Sequence, residues 1–483
     1  MFDNQEMAFG TIQGISRLIK EKQISPVEIT HLYLKRIARL DPKINSYLTV
    51  AIDSALQQAA AAEQAIVDGM DAGPLNGIPI SVKDLTKTEG IRTTLGSAIF
   101  KDLVPDADEL VVERVKRAGA VILGKTNTPE FGLSATTDNR LGDHCRNPWD
   151  VKRTTGGSSG GAAAATAAGL NVASLGSDGG GSLRVPAAFC GMFTIKPTDG
   201  RVPRRGTSKS QSKILASFSQ DGPITRTVTD AAMLLQVIAG PHPESEFCLN
   251  TSPPDFSAGL HEGVSGLRIV WTEDFGCGDV AIHSEVRKAA RSAVDWFSDA
   301  GAEIYDSSFD IDLLQLDRSR RVLTSASFYA QYGHLLDDWQ SQMMPYTLEY
   351  MEAGNGVTDL EKRDAMDVIE NFRTRFQDVF SDVDLVMSPV TSVPAFEVEM
   401  QPSEIEGRDV SGFGRRSFYP MTFPINIAGN PAASMPCGRS SGDLPIALQV
   451  IGPLLGEGKV LRVCRAYEQA NPWPLSPPDF SSI

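Results

Sequence analysis

Cysteine is scarce in this chain and so is histidine, with six of each in 483 residues. The cysteines (Cys145, Cys190, Cys248, Cys277, Cys437 and Cys464) are scattered, with no C-x-x-C pair and no histidines at metal-ligand spacing. Neither a zinc site nor a disulfide framework is indicated, and no metal or cofactor is expected. Long apolar runs are missing too. Asp3, Glu6, Arg17, Lys20 and Glu21 interrupt the first thirty positions, so no secretory apolar region forms there, and no stretch reaches the length of a membrane span. A cytoplasmic location without membrane partners is the expectation. Positive charge is the third shortfall. The 45 Lys and Arg against 60 Asp and Glu leave a net charge of −15, which disfavours nucleic acid and anionic membranes as partners. There is no internal repeat, low-complexity tract or clear linker.

What is present is an ordinary globular composition, 41% hydrophobic and 22% charged, in a chain long enough to bury a large core. Ile12, Ile15, Leu18 and Ile19 share one helical face, and Ser25-Pro26-Val27-Glu28 has the residues of an N-cap, an N1 proline and a capping-box glutamate. That second helix is expected to stop at Asp41-Pro42, and an alanine-rich third helix spans about 53–68. Residues 1–70 therefore read as an all-helical segment packed on a larger domain, 71–483, with the change at Asp71-Ala72-Gly73-Pro74. Beyond it, Ile78 to Asp84 alternates with the period of a strand, and helix and strand patterns then follow one another through 108–175. The helix opened by Thr227-Val228-Thr229-Asp230 and the strands at 267–271, 384–387 and 446–451 continue the series, with a mostly helical region at 310–380. This alternation argues for an α/β fold, one large domain around a mixed sheet.

Two glycine-serine stretches stand out: Gly156-Gly157-Ser158-Ser159-Gly160-Gly161 and Ser177-Asp178-Gly179-Gly180-Gly181-Ser182-Leu183-Arg184. Glycines packed around a serine let backbone N–H groups approach a reacting atom without a Cβ in the way. Two formal motif matches carry less than they promise. Gly119 to Thr126 fits the phosphate-loop expression, yet Ala120-Val121-Ile122-Leu123 has the composition of a strand and not of a loop. Gly156-Gly157-Ser158-Ser159-Gly160 fits the G-x-S-x-G nucleophile elbow, yet the preceding Asn147 to Thr155 has loop composition, and His242, His261, His283 and His334 lie in undistinguished contexts. Lys83, opposite Ile80 and Val82 on its strand, reads most simply as a residue of a solvated face. Its functional alternative is a buried, neutral amine able to take a proton from a serine hydroxyl.

Taken together, Gly77 to Asp84, Gly124 to Phe131, Arg146 to Asp150, Gly156 to Gly161, Asp178 to Gly191, Lys196-Pro197-Thr198, Asp221 to Ile224, Pro431 to Gly438 and Leu448 to Gly452 resemble the amidase signature family of serine hydrolases. The matches run in order over nearly the whole chain. The resemblance implies a central twisted mixed β-sheet covered by helices on both faces, and a Ser-cisSer-Lys triad. On this sequence Ser182 becomes the nucleophile, Ser158, following a cis peptide, the bridging serine, and Lys83 the base. The backbone N–H groups of Gly179, Gly180, Gly181 and Ser182 would form the oxyanion hole, where one donor is typically worth about 3–4 kcal/mol in the transition state. Ser159, Asp178 and Arg184 match bracing positions, for which a solvated Asp-Arg pair is the plainer alternative. Two departures from the family pattern are visible: Gly179 stands where relatives usually carry Thr or another side chain, freeing the oxyanion loop to loosen or to admit a bulkier acyl group, and Thr155 stands where proline is common.

The resemblance implies hydrolysis of a carboxylic amide C–N bond through an acyl-enzyme on Ser182, without cofactor. Pocket walls are expected from Phe131 to Asp138, with Phe131, Gly132 and Thr136 as candidate substrate contacts, from Arg201 to Gln211, and from the helical 310–355 region. Aromatics and methionines in Tyr329 to Gly333 and Met343 to Met351 read as core, with a pocket cover as the alternative. They favour a hydrophobic or aryl substrate, an amide, anilide or aryl carbamate (urethane), as in the aryl-acylamide, nylon-oligomer and urethane hydrolases that the sequence resembles, taken by a monomer or homodimer. The rival reading is the glutaminase component of a tRNA-dependent amidotransferase, from which the Pro472 to Pro477 tail and the Thr207 to Ser219 stretch look different.

Overall fold

A computed structural model describes residues 7–70, 73–205, 218–278, 280–307, 309 and 311–477. Asp71 and Ala72 of the expected boundary, and the 206–217 part of the two stretches around residues 201–219, lie outside the described residues.

Eleven strands form one mixed sheet. In chain order they are β1 (Tyr47–Val50), β2 (Pro79–Lys83), β3 (Val121–Thr126), β4 (Ala173–Asp178), β5 (Phe193–Lys196), β6 (Gln220–Thr225), β7 (Arg268–Trp271), β8 (Glu303–Asp306), β9 (Leu385–Pro389), β10 (Ala432–Arg439) and β11 (Pro445–Ile451). Across the sheet they run β1-β3-β2-β4-β6-β5-β10-β11-β9-β7-β8. β2 is parallel to both of its neighbours, β3 and β4, and β9-β7-β8 is parallel as well; the other pairings are antiparallel. Helices flank the sheet, and one continuous cluster of buried apolar side chains joins the first helices to the strands.

The helix starts are where capping chemistry places them. Ser25 Oγ accepts from Glu28 N while Glu28 reaches back to Ser25 N, a complete capping box with Pro26 at the first helical position. That helix does not stop at Asp41-Pro42, however. It runs Pro26–Ile44, because a proline in the last turn removes only one hydrogen bond, and Asn45 in the left-handed conformation ends it. Residues 1–70 are also not all helical. Tyr47–Val50 supplies edge strand β1, held antiparallel to β3.

The period-2 reading of Pro79–Lys83 finds the strand and misplaces its polar face. β2 lies inside the sheet with helices Pro26–Ile44 and Gly160–Ala167 packed against it, so Ser81 and Lys83 are as buried as Ile80 and Val82. β3 is the strand that the phosphate-loop match covers. Its Lys125 is buried and donates to Thr88 Oγ1 at 2.9 Å and Thr93 Oγ1 at 3.0 Å. Asn147 to Thr155, expected as loop, contains a short antiparallel ribbon of Arg146–Asn147 with Asp150–Thr154, apart from the main sheet. Among the described residues no disulfide joins any of the cysteines. Among the described residues no helix is long and apolar enough to cross a membrane.

Candidate active site

Lys83 closes β2 and Asp178 closes β4, and these strands are adjacent and parallel, so both side chains emerge at the same edge of the sheet. Ligand and catalytic sites of α/β folds gather at such carboxyl ends. After Asp178 the chain turns through Gly179 to Leu183 into the helix Arg184–Cys190, and the other glycine-serine stretch leads into the helix Gly160–Ala167 beside it.

Lys83 is fully buried. Its Nζ donates to Ser158 Oγ at 2.7 Å and Ser159 Oγ at 2.9 Å, with Ser177 Oγ at 3.2 Å. Burial strips water from the ammonium and lowers its pKa from 10.5 to about 7, against the opposing pull of Asp178 and Asp221. Near neutrality a large share of Lys83 is therefore free amine. The Gly157–Ser158 peptide is cis. Ser159 ties the two stretches together: its N–H donates to the Ser182 carbonyl at 3.1 Å, and its hydroxyl donates to the Ser177 carbonyl at 3.1 Å. Ser182 is half-buried, the most open of the three positions expected to form the triad. Among the described residues Lys83 and Ser158 are joined directly, whereas no hydrogen bond joins the Ser158 and Ser182 hydroxyls.

Asp178 and Arg184 are not a solvated pair. Both are fully buried, with Arg184 Nε 2.9 Å and Nη2 3.0 Å from the carboxylate. Burial alone would raise the carboxyl pKa, but the guanidinium and the Asn426 amide hold it well below the usual carboxylate range. Removing one partner of such a pair typically costs about 3–5 kcal/mol. Asp178 also accepts from the N–H groups of Gly180 (3.2 Å), Gly181 (2.6 Å) and Leu183 (3.1 Å). The four donors expected to share the oxyanion thus divide. Gly180 and Gly181 face Asp178, while the N–H groups of Gly179 and Ser182 have no partner among the described residues. Gly181 at φ +125° lies where an added Cβ would fall 2.3 Å from Thr422 Oγ1, so both backbone angle and space demand glycine there.

Of the expected substrate contacts, Gly132 is nearest the triad: a Cβ on it would lie 3.3 Å from Ser158 Oγ. Phe131, at φ +53°, turns its ring onto Phe328 (centroids 5.2 Å apart), Tyr332 (4.8 Å) and Phe100 (6.0 Å). The Thr136 carbonyl would meet a Cβ at Gly157 at 3.0 Å, and its hydroxyl donates to Asp138 Oδ1 at 2.9 Å. The aromatic and methionine stretches split between core and surface roles. Met343, Tyr346 and Met351 are core, while Phe328, Tyr329, Tyr332 and Tyr350 are only half-buried. Buried Glu130 joins the two walls, accepting from Ser97 Oγ at 2.7 Å and, on the helical side, from Met344 N at 2.7 Å and Thr347 Oγ1 at 2.6 Å. Among the described residues no group of three or more His, Cys, Asp or Glu comes together as a metal centre would require.

The fold brings several further residues here that sequence reasoning does not single out. Ser177 opens the second glycine-serine stretch and touches Lys83. Gln449 and Asn426 each accept from Arg184 at 2.6 Å. Gln449 lies in Leu448 to Gly452, a segment that carries the family resemblance, so a signal for it exists; Asn426 lies just before another, Pro431 to Gly438. Arg320 and Thr422, which contact the carbonyls of Gly179 and Gly180 at 2.8 Å, give no local signal at all.

A family model described as Amidase matches residues 28–461. The A subunit of glutamyl-tRNA(Gln) amidotransferase from Acaryochloris marina is 36% identical over 492 residues, covering 97% of this chain and 99% of that protein. Among solved structures, a bacterial aryl acylamidase of the amidase signature enzymes superposes with a TM-score of 0.88 at 29% identity, covering 96% of this chain and 97% of that one. For 6-aminohexanoate cyclic dimer hydrolase with substrate the values are 0.86 and 28%, with 98% and 99% covered. For the A subunit of the Thermotoga maritima amidotransferase they are 0.76 and 30%, with 98% and 97% covered. With a family match over most of its length and full-length relatives, the chain belongs to the amidase signature family.

Proposed function

We propose that the protein cleaves a carboxylic amide C–N bond through an acyl-enzyme on Ser182. The observation that carries this reading is the 2.7 Å contact between a fully buried, near-neutral Lys83 and Ser158 Oγ. Neutral Lys83 takes the Ser158 proton as Ser158 takes that of Ser182, and Ser182 Oγ attacks the carbonyl carbon. Charge developing on the carbonyl oxygen falls to the N–H groups of Gly179 and Ser182, the two not held by Asp178. The proton returns along the same relay to the leaving nitrogen, the C–N bond breaks, and water then hydrolyses the acyl-enzyme by the same path.

For the acyl donor, the full-length likeness to amidotransferase A subunits favours glutamine, with the released ammonia passed to a partner that holds the tRNA. This displaces the aryl substrate favoured by composition as the leading reading. A second reading keeps a specific support. The rings of Phe131, Phe328 and Tyr332 beside Gly132 suit an aryl amide or carbamate, and the superposition on an aryl acylamidase is better than that on the Thermotoga maritima protein.

One experiment separates them: the purified chain alone assayed against glutamine, aliphatic amides, anilides and aryl carbamates. Glutaminase activity that appears only with a partner supports the first reading, and rapid turnover of an anilide by the chain alone supports the second. Ser182→Ala and Lys83→Ala should each abolish whichever activity is found while the protein stays folded by circular dichroism. Retained turnover in either would sink the mechanism.

A further inference from the structure

The loop that carries Ser182 is held from outside by three side chains, each donating to a different carbonyl. Asn426 Nδ2 lies 2.8 Å from the Asp178 oxygen, Arg320 Nη2 2.8 Å from that of Gly179, and Thr422 Oγ1 2.8 Å from that of Gly180. Asn426 and Thr422 come from one short stretch. Arg320 comes from elsewhere, the helix Leu313–Tyr332 in the region expected to vary with substrate. Its guanidinium lies flush on the loop, so a Cβ at Gly180 would fall 3.0 Å from Nη2.

Two features separate this arginine from an ordinary ion pair. Asp317, one turn earlier on the same helix, pairs with Arg416 at 2.9 Å. Arg320 Nε is buried and has no hydrogen-bond partner. A buried donor left unpaired is unfavourable, so the side chain is held where it is by what its other nitrogens reach.

We propose that Arg320 is a positioning residue for the oxyanion hole. It acts on one peptide unit. The carbonyl of Gly179 faces the Arg320 cation while the N–H of the same unit, on Gly180, faces the Asp178 carboxylate at 3.2 Å. A peptide dipole clamped between a cation at its oxygen and an anion at its hydrogen cannot rotate freely. With the Asp178 carbonyl fixed by Asn426, this sets the plane on either side of Gly179 and leaves the Gly179 N–H directed away from both clamps. Among the described residues a Cβ at Gly179 would come no closer than 3.5 Å, to Ser219, which is ordinary contact, so the restraint on this unit is read from Arg320 and not from crowding.

The inference rests on Ser182 as nucleophile, and its test must fail separately from that reading. The probes are phenylmethylsulfonyl fluoride, with Ser182 labelling followed by mass spectrometry, and a neutral chromogenic anilide. In Arg320→Ala, labelling and kcat should each fall about 10- to 100-fold, the loss typical of a reacting group misplaced by about 1 Å, with KM and melting temperature unchanged. Arg320→Lys, keeping one donor, should recover part of the loss, and millimolar guanidinium should raise the rate of the alanine variant and not of the wild type. Three results would overturn the proposal: wild-type labelling in Arg320→Ala, a loss that neither lysine nor guanidinium relieves, or an effect confined to KM for substrates bearing a carboxylate, which would make Arg320 a substrate anchor. Labelling that persists in Ser182→Ala would instead refute the nucleophile assignment and leave Arg320 unimplicated.

Discussion

An ammonium group in water is stabilised by its hydration, and Lys83 has none of it. The three hydroxyls of Ser158, Ser159 and Ser177 around its Nζ are neutral acceptors that replace water only in part, so the charged form is disfavoured and the pKa comes down to about 7. The consequence is a pH dependence with a definite sign. As the proposed base Lys83 works only when deprotonated, so kcat/KM should rise as pH rises through about 7 and level off above it, falling about tenfold for each unit below. A pH-rate profile on any cleaved substrate checks this; a flat profile from pH 5 to 8 would assign the base to another group. The residue also shows why sequence alone misjudges single positions. Strand alternation says which residues share a face but not whether that face meets water, and the face of Ser81 and Lys83 is covered by helices that the local pattern does not reveal.

At the scale of elements, legibility follows the range of the forces involved. Helix starts are readable because a cap is a contact within four residues, as with Ser25 and Glu28, or Thr227 whose hydroxyl accepts from Asp230 N at 3.2 Å. Edge strand β1 is not, since four residues between two helices have no period to read and their pairing is with β3, beyond the next helix and strand. The glycine-serine stretches are visible for a local reason, and their clamps are hidden for a non-local one. Arg320 is 141 positions from Gly179 and Asn426 is 248 from Asp178. The helix Leu313–Tyr332 touches both the loop that carries Ser182, through Arg320, and the aromatic wall, through Phe328 and Tyr332 against the ring of Phe131. Phe328→Ala removes an aromatic contact from that wall, each such pair being worth about 0.5–1.5 kcal/mol beyond its area. If the wall receives an aryl group, the variant should raise KM for anilides about 3- to 10-fold while leaving that for an aliphatic amide within about twofold. Equal effects on both substrates would place the ring in the structural core instead.

For the whole molecule, charge decides what the chain can hold by itself. A surplus of 15 negative charges, from 60 Asp and Glu against 45 Lys and Arg, surrounds the folded protein with a potential that repels polyanions. If ammonia from glutamine is destined for an aminoacyl-tRNA, this chain is poorly suited to binding that tRNA, and the contact has to come from a partner of opposite surface character. The carboxyl end of the sheet fits such a division, because arginines there are committed inward, Arg184 to Asp178 and Arg416 to Asp317, and the buried Lys83 is largely uncharged near neutral pH. The chain alone should therefore leave tRNA unshifted in a gel-retardation assay at physiological salt up to micromolar protein, where basic proteins already bind nonspecifically with Kd of about 1–100 µM. Adding a partner that restores glutaminase activity should produce a shift together with that activity. Tight binding of tRNA by the chain alone would show a basic surface strong enough to outweigh the net charge, and would move tRNA recognition from the partner to this protein.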